Sequence, residues 1–159
     1  MIKSLLATCL LASISLAQVS GGYPGWNDLT VNGLGSSTFS DPALPPIALA
    51  GVSNIHFEIS TSHWDAGSPT FFIIGAPGSI SPGAVALGFG QCTTVDIDPL
   101  GILYTVGVGT VPATGPFVLD VPLPVVQHLE FTVQAAVIPV ITTNSLFLSQ
   151  AHTVTVTGV

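Results

Sequence analysis

The chain has 159 residues and a formal net charge of −7, made of eight carboxylates, four histidines and one basic residue, Lys3. Beyond Lys3 there is no lysine or arginine to neutralise phosphates, so nucleic-acid binding is excluded, as are polybasic membrane attachment, Schiff-base chemistry and arginine clamps. Cohesion must then come from apolar burial and backbone hydrogen bonds, for which a chain of this length suffices as one domain.

In chain order, a basic start (Met1-Ile2-Lys3) precedes an apolar run from Leu5 to Leu16 that ends in small residues at Ser15-Leu16-Ala17. The pattern predicts a signal peptide over 1–17 and export to the periplasm, cell surface or exterior. The run is too short for the roughly 18–20 apolar residues a membrane span needs. Residues 18–51 are rich in Gly, Ser, Pro and Asn and form an extended lead-in with one or two strands at most. A β-sandwich is expected over 52–159.

Within that domain, Asn54 to Ser60 alternates apolar Ile55, Phe57 and Ile59 with polar neighbours, the signature of a half-buried strand. Pro69 to Gly75, Cys92 to Asp98 and Leu103 to Val108 read as short strands between Gly and Pro turns. The glycine-rich stretch between Gly75 and Cys92 reads as turns. Alternation resumes at Phe117 to Leu123 and Leu129 to Val137, and less cleanly from Leu146 to Thr157, whose end is strongly β-prone. No helical spacing runs for ten residues. Seven or eight short strands with such turns predict an all-β fold, a single antiparallel β-sandwich of immunoglobulin-like or jelly-roll-like type.

Candidate chemistry is sparse. Asp96 and Asp98 share one face of a predicted strand with Cys92 and Thr94, and this polar face is expected in solvent. Calcium is the natural cation for a chain of acids without bases, and these two carboxylates are its candidate ligands, while His63 and Asp65 are the candidate cluster for a transition metal. No zinc spacing, Gly-x-Ser-x-Gly turn or phosphate-binding loop accompanies them. With Cys9 in the leader, Cys92 has no partner within the mature chain. Tyr23, Trp26 and Trp64 lie in predicted loops, where aromatic rings can stack on sugars. Residues Ala43 to Gly51 suit either an internal strand or addition to a neighbour's sheet edge.

From about Asn54 onward, the succession PTFFIIGAPG, GQCTTVDIDPLG, FVLDVPLP, LEFTVQAAVI and LSQAHTVTVTG resembles a β-rich module of secreted planctomycete proteins. Leu148-Ser149-Gln150-Ala151 fits that module's closing strand closely. Gly90-Gln91-Cys92 departs from its Gly-Cys pair by one inserted residue. The resemblance implies export and a compact sandwich, and brings no catalytic residue. The reading that follows is a non-catalytic structural or interaction module, with a protein or polysaccharide of the cell exterior, or a second copy, as partner. A carbohydrate- or small-ligand-binding sandwich using Tyr23, Trp26 and Trp64 is the alternative, followed by a hydrolase assembled from His63, Asp65 and a serine.

Overall fold

The computed structural model describes residues 28–35, 46–60, 66–86, 94–124, 128–140 and 146–158, with the backbone alone for 82–86 and 94. It is an all-β sandwich. Ten strands occur among these residues: β1 (Leu29–Val31), β2 (Ile47–Ala50), β3 (Asn54–Ile59), β4 (Pro69–Gly75), β5 (Ile80–Ala86), β6 (Thr94–Ile97), β7 (Ile102–Thr110), β8 (Phe117–Pro122), β9 (His128–Val137) and β10 (Phe147–Thr157). A 3-10 turn, Pro99–Gly101, joins β6 to β7.

Three sheets arise. The first has the order β1-β3-β8, the second β2-β10-β9-β4-β7, and β5 pairs with β6 alone. Alternation along β3 sends Ile55, Phe57 and Ile59 inward, where they meet Phe72, Val133, Ala135, Val154 and Val156 of the five-stranded sheet. Residues one step along the same strands, such as Ile73 and Ala136, point the opposite way and pack under Val95 and Ile97 of the small third sheet. The five-stranded sheet is therefore buried on both faces over part of its area.

That double cover corrects several expectations. The stretch read as turns contains β5, whose Pro82 and Gly83 conceal its strand character. Of the two roles open to Ala43 to Gly51, the internal strand is the one taken: Ile47–Ala50 pair with β10 in parallel, so the sandwich is not purely antiparallel. Asp96 was expected in water and is 1% exposed. The physical reason is that β6 has no free face, because its backbone is clamped to the sheet below. The Asp96 N–H donates to Gln134 Oε1 (3.0 Å), while Gln134 Nε2 donates to the Ser149 carbonyl (2.8 Å).

The irregular alternation of β10 also has a cause. Leu148 lies opposite Ala136 and Ala151 opposite Gln134, so one extra residue is accommodated between them. This bulge lets Leu148 and Ala151, three apart, share one face. Ser149 fills the gap in the ladder: its Oγ accepts from the Ala135 N–H (2.8 Å) and donates to the Gln150 carbonyl (2.8 Å). The Leu-Ser-x-Ala stretch is thus a bulge with its own replacement hydrogen bond.

At the far side of the sandwich, His152 Nε2–H donates to the Leu29 carbonyl (3.0 Å) and ties β10 to β1. Burial pushes this imidazole below its ordinary value near 6.5, while the Leu29 hydrogen bond pulls the other way. A histidine with a depressed folded pKa binds fewer protons folded than unfolded between the two values. His152 therefore leaves stability untouched above about 6.5 and lowers it as the pH falls through the depressed folded value. Urea titrations at pH 7.5 and 5 are expected to show this loss, and His152→Gln, which keeps an N–H donor, is expected to shrink it.

Candidate functional site: an apolar cleft between unequal sheets

Three strands cannot cover five. β7 is one edge of the larger sheet and β8 one edge of the smaller, and residues of both line the space between the sheets. The sandwich gapes between them. The gap is a cavity of about 470 Å³, floored by Phe57 and Phe72 and walled by Leu119, Val121 and Leu123 on one side and Leu129 and Phe131 on another. The two floor rings meet at a centroid distance of 5.0 Å and 53° between planes, bridging the sheets.

The third wall is β7, and two bulges shape it. Phe71 and Thr70 pair with Gly107 and Gly109, leaving Val108 extra; Ile74 and Gly75 pair with Tyr104 and Ile102, leaving Leu103 extra. Each extra residue brings an added side chain to the cleft, so Leu103, Tyr104, Val106 and Val108 all line it. Leu103, Tyr104 and Val106 are 60%, 59% and 43% exposed, which places the opening along this strand. Glu130 also borders the cavity. Alternation on β9 directs its carboxylate to the opposite face, where its Oε2 lies 3.7 Å from His128 Nε2. Among the described residues this leaves Tyr104 as the polar side chain of the cleft lining.

The residues singled out from sequence fall elsewhere. Tyr23, Trp26, His63, Trp64, Asp65 and Cys92 lie outside the described residues, as does the leader. Asp96 is buried on β6, and the Asp98 carboxylate accepts from the Leu100 N–H (2.9 Å), capping the 3-10 turn. Two residues apart, with Asp96 on β6 and Asp98 capping the turn after it, the two are differently committed. Among the described residues no group of three or more His, Cys, Asp and Glu side chains is placed to hold a metal ion. The one acid-imidazole pair at short range is His56 Nδ1 and Asp120 Oδ1 (2.8 Å) on the outer face of the smaller sheet, with Asn54 Nδ2 donating to the same oxygen (3.2 Å).

What sequence reasoning missed is the inward role of β7. A signal was present: Ile102, Leu103 and Tyr104 are three large apolar residues in succession, which a regular strand cannot send to one side.

No protein-family model and no curated protein matches the chain. Among solved structures it is similar to an AA10 lytic polysaccharide monooxygenase (LPMO) from Streptomyces lividans, at 19% identity and a TM-score of 0.41, over 86% of this chain and 76% of that one. The expectation of a non-catalytic structural or interaction module gains no support from that comparison and is not carried further. A sheet scaffold lacking a sequence motif can still assemble a site in space. At this degree of similarity nothing of that protein's activity passes to the present chain. Among the described residues no helix is long and apolar enough to cross a membrane.

Proposed function

We propose that this chain is an exported β-sandwich that binds a small, uncharged and largely apolar molecule between its two sheets. One observation carries the reading: a cavity of about 470 Å³ whose lining, among the described residues, is apolar apart from Tyr104 and the bordering Glu130. Small-molecule sites span roughly 300–1,000 Å³ and combine apolar walls with few polar groups. A structural sandwich would fill such a space, since unfilled apolar volume forfeits packing energy.

The chemistry of the walls narrows the occupant. A sugar needs several paired donors and acceptors, and the cleft offers Tyr104 alone. An anionic ligand would find no counter-charge, because the only basic residue of the chain is Lys3. An added β-strand is opposed on both edges: β8 ends in Pro122 and carries Asp120, and β7 is broken by its two bulges. The leader pattern over 1–17 supports export.

The test uses N-phenyl-1-naphthylamine, an uncharged probe that brightens in apolar surroundings. The folded protein is expected to bind one equivalent saturably. Val106→Asp places a carboxylate in the cleft from an already exposed strand position, and should weaken binding by about tenfold or more while the fold survives. A folded wild-type protein that leaves the probe dark would refute the reading.

A further inference from the structure

The cleft ends beside a feature that its walls do not explain. Leu100, at the tip of the 3-10 turn that leads into β7, is 97% exposed. Pro99 beside it is exposed as well. Within a few residues along the chain come Leu103 and Tyr104, which are both exposed and part of the cleft lining. A single exposed leucine is ordinary, but one fixed three residues before exposed residues that line an open apolar cavity marks an interaction surface.

The tip is held out by a braced turn. The Asp98 carboxylate and carbonyl accept from the N–H groups of Leu100 (2.9 Å) and Gly101 (2.7 Å). The Asp98 N–H donates to the Ser79 carbonyl (2.8 Å), and the Ala76 N–H to the Gly101 carbonyl (2.8 Å), lashing the turn to the loop after β4. Gly101 sits so close to that loop that a Cβ there would collide with Ser79. Leu100 thus has no route back to the core, and its exposure is built into the backbone.

We infer that this end of the molecule docks on a zwitterionic lipid bilayer, inserting Leu100, and that the cleft draws its ligand from there. The inference rests on the cleft being a binding site for an apolar molecule. Such a ligand partitions into lipid, so a mouth that meets the bilayer spares it a passage through water. Charge selects the kind of surface. The net charge of −7 and the lack of lysine and arginine beyond Lys3 oppose anionic lipids. Phosphatidylcholine and phosphatidylethanolamine present an ammonium outermost, which suits an acidic protein and Asp98 on this turn. Tyr104, with an apolar ring and a polar tip, fits the headgroup level.

Flotation with phosphatidylcholine vesicles tests this, with N-phenyl-1-naphthylamine affinity measured in parallel. The wild-type protein should float. Leu100→Asp, outside the cleft lining, should reduce vesicle binding by about tenfold or more and leave probe affinity unchanged, which also reports that the variant is folded. Wild-type protein that binds the probe yet stays out of the vesicle fraction overturns the docking inference and spares the cleft. So does Leu100→Asp that floats like wild type, or binding that rises with anionic lipid. Loss of probe binding in folded wild-type protein removes the cleft reading itself.

Discussion

Phe72→Ala is expected to lower the unfolding free energy by about 3–5 kcal/mol, the cost typical of truncating a buried aromatic side chain. Phe72 is 3% exposed and sits on β4, next to the edge of the five-stranded sheet. Its ring meets Phe57 of the opposing sheet, so the substitution removes both transfer energy and an aromatic pair worth about 0.5–1.5 kcal/mol. The neighbourhood is ill placed to close over the loss, because Phe72 already borders an open cavity of about 470 Å³. Chemical denaturation should show a lower midpoint with an unchanged slope. Phe72→Leu, which keeps most of the volume, should cost far less. A drop below about 1 kcal/mol for alanine would mean that the Phe57–Phe72 contact does not join the sheets.

Gln134→Leu is expected to cost about 2–5 kcal/mol, although it preserves size and adds hydrophobicity. The side chain is fully buried and serves two backbone groups on different strands, the Asp96 N–H and the Ser149 carbonyl. Leucine leaves both without this partner, at about 1–3 kcal/mol each. Hydrogen exchange localises the effect: the Asp96 amide should lose protection first, since Gln134 is its acceptor. Gln134→Glu keeps an acceptor for Asp96, loses the donor to Ser149 and buries a carboxylate near Asp96. It should be at least as damaging at neutral pH and partly relieved by acid. A Gln134→Leu protein as stable as wild type would show that β6 is held by its apolar contacts alone.

Strands with one greasy and one polar side were legible from sequence. Asn54–Ile59, Phe117–Pro122 and His128–Val137 announce themselves by period-two alternation, which is a local property. The strand that escaped lacks it, since Ile80–Ala86 carries proline and glycine; Leu29–Val31 and Ile47–Ala50, too short for a clear period, fall in the lead-in expected to hold one or two strands. Asp96 was misjudged because alternation tells which side chains share a face and is silent on what covers that face. The cleft was out of reach for the same reason. It exists because three strands oppose five and because β7 bulges twice, and both facts depend on partners distant in the chain.

By itself, then, the sequence determined an all-β chain with an apolar interior and no cationic chemistry, because composition and alternation are written residue by residue. Only the tertiary structure decided that β2 runs parallel to β10, that the middle sheet is covered on both sides, and that an apolar cleft stays open beside a rigid leucine tip. Those outcomes follow from which strands pair and how many stand in each layer, quantities set by long-range packing and invisible to any local pattern.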